Sequence, residues 1–339
     1  MSPLGICFEK YYMLFNVSVG GLRVSAMTKN GKKSMAFVLG CTPNMAFAAG
    51  TLALSLLQRM PFRDFDIHII SEGLVAPAWH NPGEPVSHQA QNDAELLASL
   101  PRCTVSAYSP LHISPEDLQN GPPVYYLYIF EMFRLLAEYR SLVWLDIDII
   151  LQEDIAELAD IGPFAMSLHD FSCLRDGKAY TVARNFKKPI PGYDMDAPIF
   201  NSGVVCFTDD MPLPSKMYEW CLRKYIELMP VLRHKDQAIF NLFAQAFPDL
   251  VRTLPFDLYN CYPYNRKSDK AKIVHCFGPQ KVWNSGLLQV TFPEWTRTYR
   301  RWLELGGTPY TGQVSDDFLL EHSACSLIIQ CLTQRESND

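Results

Sequence analysis

The sequence predicts an α/β protein with a mixed, mostly parallel sheet flanked by helices in a single domain. An apolar segment, Met35–Cys41, is followed by a run rich in Ala and Leu, Ala46–Arg59, and then by a second apolar segment, Asp66–Ser71. This strand, helix, strand order is typical of a parallel crossover unit. A long buried strand, Ser141–Leu151, and a strand with a polar step, Ile199–Phe207, extend the pattern.

The composition indicates a folded protein and excludes several functions. Of the 339 residues, 48% are hydrophobic and 19% are charged, which is typical of a globular chain. The net charge of −6 argues against a protein that neutralises nucleic-acid phosphates. No apolar run approaches the ~20 residues of a membrane span. The ten cysteines include no Cys-x-x-Cys pair, so we expect reduced core thiols and a cytoplasmic protein.

The remaining elements follow along one continuous domain. We expect helices over Gln91–Leu100, Tyr125–Tyr139, Lys216–Leu228 and Asp236–Phe247, and strands over Cys103–Ser106, Met166–His169 and Lys272–Phe277. The helix over 125–139 is expected to be amphipathic and to lead into the strand at Ser141. Residues 1–34 are predicted to be a poorly defined leader, 35–305 the folded domain, and 306–339 a partly helical tail.

Two aspartates, Asp146 and Asp148, interrupt the most apolar strand of the chain. Residues two apart on a strand point to the same side, so both carboxylates should converge. Two unit charges ~5 Å apart repel by roughly 3 kcal/mol at an effective dielectric of ~20, and their burial without a partner would cost more. A divalent cation resolves this most simply, and oxygen ligands favour Mg²⁺ or Mn²⁺.

Two other Asp-x-Asp pairs need no ligand. Asp64 and Asp66 stand at the solvated start of a strand, and a second pair lies in the Pro- and Gly-containing loop 189–198. The pair at 146 and 148 instead separates a buried strand from a polar turn, near a carboxyl strand end, where open α/β sheets bind ligands. A metal site is therefore favoured there, with a structural carboxylate pair as the alternative.

Four segments carry polar residues at the ends of apolar ones. They are Leu145–Asp148, Phe200–Gly203, Lys235–Gln237 with Asn241, and His275–Trp283. In this order, from about Met35 to about Leu305, they resemble the family 8 retaining glycosyltransferases, which include glycogenin, galactinol synthases and bacterial lipopolysaccharide α-glycosyltransferases. The resemblance implies a GT-A-type, Rossmann-like fold. It also implies transfer of a hexose from a UDP-sugar to an acceptor hydroxyl with retention, using Mn²⁺ (or Mg²⁺).

The resemblance assigns the metal and diphosphate contacts to individual residues. Asp146, Asp148 and His275 would hold the metal against the donor diphosphate. Gly278 would let the backbone approach a phosphate, and Lys281 would place a point charge on it. For His275 the alternative is a hydrogen-bonded core histidine at a strand end.

The sugar and base contacts are implied in the same way. Asn201 and Gln237 match positions that contact the donor sugar, and Asp236 belongs to the same motif, so Asp236 and Gln237 are the candidate catalytic residues. Acidic residues are favoured at helix N-termini in any case. Gln237 is a poor nucleophile, which favours a front-face route. The remaining donor contacts would be Thr42 and Asn44 for the uracil base and Asp170 for the sugar.

Three positions depart from the family pattern. Met45 stands where an aromatic residue is usual, Ile129 where an arginine often touches the donor, and Val282 where proline is frequent. These departures leave open a non-catalytic nucleotide-sugar-binding or scaffold protein. A nucleotidyltransferase is a third interpretation, but no Gly-rich phosphate loop lies near the N-terminus.

The acceptor and the cellular site are the least constrained features. A saccharide, a lipid-linked saccharide, a protein or a polyol would each be a compatible acceptor. The segment Trp295–Trp302 places three aromatic residues on one helical face with three arginines beside it. Such a helix could contact an anionic membrane at its inner face, but the simpler interpretation is that its aromatic face packs on the domain.

Overall fold

A computed structural model of the chain describes residues 31–77, 83–108, 123–169 and 180–314. The strands in chain order are β1 (Lys33–Gly40), β2 (Asp66–Ser71), β3 (Cys103–Ala107), β4 (Tyr139–Leu145), β5 (Ile149–Leu151), β6 (Phe164–Leu168), β7 (Phe200–Thr208), β8 (Val251–Leu254) and β9 (Ile273–His275). Seven strands form one sheet in the order β3-β2-β1-β4-β7-β6-β8, and β5 pairs with β9 in a separate ribbon.

The sheet is mixed, as the sequence predicts. Strand β1 is parallel to both β2 and β4, and the pairs β2–β3 and β6–β8 are also parallel. Only β7 is reversed, and it pairs antiparallel with β4 and β6. The amino end of β7 therefore lies at the same edge as the carboxyl end of β4, and both ends supply residues there.

Helices cover both faces of the sheet. They are α1 (Ala46–Arg59), α2 (His88–Ser99), α3 (Met132–Leu135), α4 (Pro214–Leu228), α5 (Lys235–Ala246), α6 (Phe256–Tyr259), α7 (Gly286–Thr291) and α8 (Pro293–Glu304). The Ser87 hydroxyl caps α2 by accepting from the Ala90 amide at 3.2 Å. The bounds of α1 and β2 agree with the prediction from the sequence.

Two hydrophobic cores lie on opposite faces of the sheet. On β1, Phe37 and Leu39 belong to the first core, which includes α1 and the β5–β9 ribbon. Ala36 and Val38 alternate with them and belong to the second core, which includes α4 and α5. Strands buried on both faces are apolar without interruption, which explains the apolar runs of this sequence.

The aromatic face of α8 packs against α1. Trp302 is fully buried, and a Cβ atom on Gly50 would lie 2.3 Å from the indole Cε3, so only glycine permits this approach. Trp295 stacks on Tyr299 at 5.0 Å between centroids. The simpler interpretation of this segment agrees with the structure, because its aromatic residues are covered by the domain. A peripheral membrane contact remains a prediction for the exposed arginine side.

One predicted strand is two strands in the structure. The segment Ser141–Leu151 divides into β4, which ends at Leu145, and β5, which begins at Ile149. An apolar run cannot distinguish one long strand from two short ones, since either is buried on both faces. Both aspartates lie in the turn between these strands.

The prediction of one amphipathic helix over Tyr125–Tyr139 is also wrong. A 3₁₀-helix spans Val124–Glu131, α3 adds a single turn, and Tyr139 already belongs to β4. The segment is apolar on nearly all sides and lies in the second core. Because the segment has no continuous polar face, it is buried, and packing within the second core determines its backbone conformation.

Several other expectations concern parts of the chain that are only partly described. The leader 1–34 and the tail 306–339 fall largely outside the described residues, and so does Asp170. Of the cysteines, the six in the described ranges are free, and five are buried. Among the described residues, no helix combines the length and apolar character that crossing a bilayer requires.

The partly buried histidine of β2, His68, gives a prediction for stability. Burial, assisted by Lys33, lowers the pKa of His68 from 6.5 to about 4. Because the folded state binds fewer protons than the unfolded state between these values, stability falls as the pH falls through this window. His68→Gln should reduce this loss by about 2 kcal/mol between about pH 7.5 and about pH 5 in urea unfolding. Identical pH profiles for the two proteins would contradict the assignment.

Candidate active site

The chain changes hydrogen-bonding partner at Ile147. The amide of Asp146 donates to the Gly203 carbonyl of β7 at 2.9 Å, which continues the main sheet. The Asp148 carbonyl accepts from the Cys276 amide at 3.0 Å, beside the β5–β9 ribbon. The backbones of the two aspartates are therefore bonded to different sheets, and the chain crosses from one sheet to the other between them.

Asp146, Asp148 and His275 form a group of possible metal ligands. One ligand atom from each lies within 4.8 Å of the others. His275 Nε2 lies 3.0 Å from Asp148 Oδ1 and 3.6 Å from Asp146 Oδ2. The Asp146 side chain is 39% exposed, whereas His275 is 1% exposed, so the group opens to solvent on the Asp146 side. Two carboxylates suit Mn²⁺ or Mg²⁺, and an imidazole is a common ligand of transition metals, so the set fits a divalent cation.

The electrostatics of the two carboxylates differ. Burial tends to raise the pKa of Asp148, but His275 and Lys281 outweigh it and hold that pKa below its usual value. The Lys281 ammonium contacts Asp148 Oδ2 directly and also donates to the Cys276 carbonyl at 3.0 Å. Burial raises the pKa of Asp146, with His275 opposing and Asp148 adding to the shift. Positive charge at this position therefore stabilises the ionised pair.

His275 is oriented from behind by an amide chain. Its Nδ1 lies 2.7 Å from Asn260 Oδ1, and Asn260 Nδ2 donates to Asn201 Oδ1 at 2.8 Å. The Nδ1 atom donates to the amide oxygen. Nε2 donates to Asp148 Oδ1 when it is protonated, and a bound cation would instead take the Nε2 lone pair. A Cβ atom on Gly203 would lie 2.0 Å from the ring Cε1. Gly203 thus permits the close approach that a glycine in a strand interior indicates.

Asp146 is held by a second support. The Trp144 indole Nε1 donates to Asp146 Oδ1 at 2.8 Å. A Cβ atom on Gly40 of β1 would lie 2.6 Å from Cη2 of that indole and 2.9 Å from Tyr128. The indole therefore occupies the space that a side chain at position 40 would need. Because Gly40 has no side chain, the indole can pack on the β1 backbone while it donates to Asp146.

Asn201 and Gln237 lie side by side at the amino end of β7 and the first turn of α5. Asn201 Nδ2 donates to Gln237 Oε1 at 3.3 Å and lies 3.1 Å from His169 Nε2. Gln237 Nε2 donates to Asn185 Oδ1 at 3.1 Å. The structure thus brings both predicted sugar contacts together. Asn241 holds the start of β7, since its amide pairs with both backbone groups of Phe200.

Asp236 lies in the first turn of α5 and accepts from the Ser202 hydroxyl at 2.8 Å. Its removal from solvent and the negative charge of Asp146 raise the pKa of Asp236 to about 7, against an opposing effect of Ser202. The shift links Asp236 electrostatically to the metal-ligand group.

The loop after β9 carries Gly278 and Lys281, and it places the Lys281 ammonium in contact with Asp148. Gly278 has φ of +102°, a conformation that favours glycine, and a Cβ atom there would meet nothing within 4 Å. The Thr42 hydroxyl donates to Asn44 Oδ1 at 2.6 Å after the carboxyl end of β1. Thr42 and Asn44 thus lie at the same edge of the sheet as Asp146, because β1 and β4 are parallel.

The other Asp-x-Asp pairs have structural roles. Asp66 accepts from Lys33 at 2.6 Å and from Tyr139 at 2.8 Å. Asp194 accepts from the Asp196 amide at 2.9 Å in a turn. Neither pair belongs to a group of possible metal ligands within the described ranges.

The sequence did not reveal Asn260, Asn185 or Ser202 as members of the site. Asn185 and Asn260 lie outside the four polar segments, and Ser202 lies within one of them but is a common residue in strands. No local pattern therefore distinguishes these three residues. Trp144 was visible as the residue two before Asp146, but its support of that carboxylate depends on Gly40 of another strand. Such contacts between distant segments have no signal in a single sequence.

The three departures from the family pattern belong to the hydrophobic cores. Ile129 is buried in the second core, and Val282 is buried in the first core. Met45 is partly buried against the first core.

Solved structures show the same fold. The galactosyltransferase LgtC, in complex with donor and acceptor sugar analogues, has a TM-score of 0.55 and 15% identity, covering 80% of this chain and 100% of LgtC. The apo structure of the bifunctional glycosyltransferase WbbM has a TM-score of 0.56 and 16% identity, covering 89% of this chain and 54% of WbbM. The fold is therefore that of the GT-A-type glycosyltransferases.

The sequence itself gives the family. The model of glycosyl transferase family 8 matches residues 6–287, whereas a comparison with curated proteins finds no match. The chain belongs to glycosyl transferase family 8 and is a glycosyltransferase. The resemblance seen in the sequence is confirmed, and the nucleotidyltransferase interpretation is wrong.

The contact between Gly203 and His275 gives a prediction for metal binding. Gly203→Ala should displace the imidazole, because the added methyl group would overlap the ring, and should weaken Mn²⁺ binding at least tenfold. Titration calorimetry with Mn²⁺ measures this directly, and circular dichroism checks the fold. Gly83→Ala is the matched control, since a Cβ atom there meets nothing within 4 Å. Equal Mn²⁺ affinity in both variants would remove His275 from the ligand set.

Proposed function

We propose that this glycosyltransferase is a metal-dependent retaining enzyme that transfers a hexose from a UDP-sugar to an acceptor hydroxyl. The convergence of Asp146, Asp148 and His275 at the ligand-binding edge of the sheet carries the proposal. Without a cation, the two carboxylates would lie together with Lys281 and His275 as their neighbouring basic side chains. The LgtC structure, described as a complex with donor and acceptor sugar analogues, supports a sugar donor.

The three ligand residues would hold Mn²⁺ or Mg²⁺. The bound cation would act as a Lewis acid that neutralises the departing diphosphate. Asp146, as the more exposed ligand, would face the donor, while the buried His275 would fix the position of the site. Asn260 would keep His275 in the required tautomer.

Lys281 and Gly278 would bind the diphosphate. The Lys281 ammonium contacts Asp148, so its charge is already present where the diphosphate would lie. The positive φ of Gly278 allows the loop after β9 to turn without a side chain, which would let a backbone amide approach a phosphate oxygen. Thr42 and Asn44 would contact the uracil base at the neighbouring end of β1.

Asn201, Gln237 and Asp236 would bind the transferred sugar, together with Asp170. Gln237 is held by Asn201 and Asn185, and Asp236 by Ser202, so each side chain is oriented before the donor binds. An amide is a weak nucleophile. The acceptor would therefore attack from the face that the diphosphate leaves, and a phosphate oxygen would take the acceptor's proton. Gln237 and Asp236 would stabilise the developing positive charge on the sugar.

A non-catalytic nucleotide-sugar-binding protein is the alternative, suggested by Met45 and Ile129. We infer an active enzyme because Asp146, Asp148 and His275 are all present and lie together. A cytoplasmic site is proposed on the free cysteines. Incubation with UDP-glucose or UDP-galactose and Mn²⁺ tests the activity through release of UDP. Binding of the donor without release over extended incubation would favour the alternative.

Loss of one ligand charge should abolish transfer. Asp148→Asn should reduce UDP release to background because the cation site loses a charge, while near-native thermal stability is retained. Asp194→Asn makes the same change in another Asp-x-Asp pair and should keep full activity. If Asp148→Asn also keeps near wild-type turnover, the assignment of this pair to the metal is wrong.

Loss of Lys281 should separate donor binding from metal binding. Removal of one charge-assisted contact costs about 1.5–3 kcal/mol, so Lys281→Ala should lower kcat/KM for the donor by roughly 10- to 150-fold. The Mn²⁺ affinity should stay equal or rise, because a competing positive charge leaves Asp148. Lys216→Ala on α4 serves as the exposed control. An unchanged kcat/KM would show that Lys281 does not contact the donor.

A further inference from the structure

A cluster of basic side chains lies on two segments of the chain that pair beside the amino end of α5. Its members come from residues 184–188 and 233–235, and they are Arg184, Lys187, Lys188, Arg233, His234 and Lys235. This basic cluster stands out in a chain whose net charge is −6. Such a local excess of positive charge favours a negatively charged ligand.

Backbone hydrogen bonds join the two segments. The Lys187 amide donates to the Val231 carbonyl at 2.7 Å, and the Arg233 amide donates to the Asn185 carbonyl at 2.8 Å. The Lys187 ammonium also donates to the Pro230 carbonyl at 2.9 Å. The fold therefore brings together basic residues that are distant in sequence, so the cluster is more than a run of charge along one loop.

Stability of the fold does not explain this concentration of charge. Lys187, Lys188 and Arg233 are exposed, and within the described parts of the chain none of them pairs with a carboxylate. Lys235 is the first residue of α5, where a cation opposes the helix dipole. Like charges that lie together also repel one another.

The members of the cluster act on one another across the two segments. Burial, followed by the flanking cations Arg233 and Lys235, lowers the pKa of His234 below its usual value. Arg184 of the other segment adds to this shift. Burial and Lys187 lower the pKa of Lys235. A bound anion would relieve this mutual repulsion.

The cluster adjoins one of the residues proposed to bind the sugar. Gln237 Nε2 donates to Asn185 Oδ1 at 3.1 Å, and Asn185 lies between Arg184 and Lys187 in the first segment. Gln237 itself follows Lys235 by two positions in the first turn of α5. The basic side chains therefore begin where the proposed sugar contacts end.

A second set of contacts leads from the cluster to the other proposed sugar contact. The Arg184 guanidinium lies over the ring of Tyr180, 3.4 Å from its centroid. Tyr180 stacks on His169 with 6.3 Å between centroids, and His169 Nε2 lies 3.1 Å from Asn201 Nδ2. The cluster is thus connected to both Asn201 and Gln237 through direct neighbours.

The basic cluster is separate from the proposed diphosphate contacts. Lys281 contacts Asp148 of the metal-ligand group, whereas the cluster adjoins Gln237 through Asn185. In the hydrogen-bond network that joins these two regions, Asn201 and Gln237 stand between them. A ligand group at the cluster would therefore lie beyond the transferred sugar and would belong to the acceptor.

We propose that the acceptor is an anionic saccharide, whose phosphate or carboxylate group binds the basic cluster while a neighbouring hydroxyl lies beside Asn201 and Gln237. Arg and Lys bind such groups through charge-assisted hydrogen bonds, which are roughly twice as strong as neutral ones. The inference rests on the proposed function, because it assigns a class of acceptor to that active site.

Titration calorimetry of the full chain with galactose 6-phosphate tests the proposal at low ionic strength, with UDP and Mn²⁺ present to occupy the donor site. Methyl galactoside is the neutral probe, and inorganic phosphate is the anion without a sugar. The cluster variant combines Lys187→Gln, Lys188→Gln and Arg233→Gln. The control variant removes three exposed charges elsewhere, by Lys216→Gln, Arg223→Gln and Lys270→Gln.

We expect galactose 6-phosphate to bind the wild type and the control variant equally, and to bind the cluster variant at least tenfold more weakly. Methyl galactoside should bind all three proteins alike. The tenfold difference should largely disappear in about 1 M NaCl, where the Debye length is ~3 Å. Because repulsion within the cluster is relieved, the cluster variant should unfold at or above the wild-type Tm.

Equal affinity of the cluster and control variants for galactose 6-phosphate overturns the proposal, and so does absence of binding to the wild type. Inorganic phosphate that binds as tightly as galactose 6-phosphate would reduce the cluster to a simple anion site. Sedimentation with phosphatidylglycerol vesicles tests a lipid surface as the source of the anion. Vesicle binding that only the cluster variant loses, without a change for galactose 6-phosphate, would assign the cluster to a membrane instead.

This test does not depend on turnover. Absence of UDP release from a UDP-sugar would contradict the proposed function, whereas binding of galactose 6-phosphate would still report on the cluster. Conversely, UDP release together with equal binding by the cluster and control variants would contradict only the proposed class of acceptor.

Discussion

The structure depends on the change of sheet between Asp146 and Asp148. The chain leaves the main sheet after one aspartate and joins the β5–β9 ribbon after the next. Like charges are thereby brought together at a turn, where backbone hydrogen bonds from two sheets fix both residues. The repulsion between them requires positive charge nearby, and His275 and Lys281 reach the site from the ribbon and its following loop.

Two of the contacts that hold this turn in place require a glycine. Gly40 makes room for the Trp144 indole, and Gly203 makes room for the His275 ring. Each glycine lies on a strand that neighbours β4, so the main sheet shapes the site through missing side chains. Polar contacts then complete the positions, from the indole to Asp146 and from Asn260 to the imidazole. The positions of Asp146 and His275 therefore depend both on close packing at a glycine and on a hydrogen bond.

Much of the fold was predictable because its elements are local and strongly apolar. Helix α1 and strand β2 have the predicted bounds, and the mostly parallel sheet follows from their order. The division of 141–151 was not predictable, since apolar runs are identical for one strand or two. The group of possible metal ligands was predictable from the ordered motifs. Asn260 was not, because its role arises from contacts with residues distant in sequence.

The separation of the ligands along the chain has a consequence for biosynthesis. Asp148 and His275 are 127 positions apart, and Lys281 lies 133 positions from Asp148. Ribosomes synthesise chains from the amino terminus, and domains fold largely as units. The half of the site on β4 and β5 emerges long before the half on β9. A nascent chain therefore carries both aspartates without His275 and Lys281 until β9 and its following loop have been synthesised and have docked.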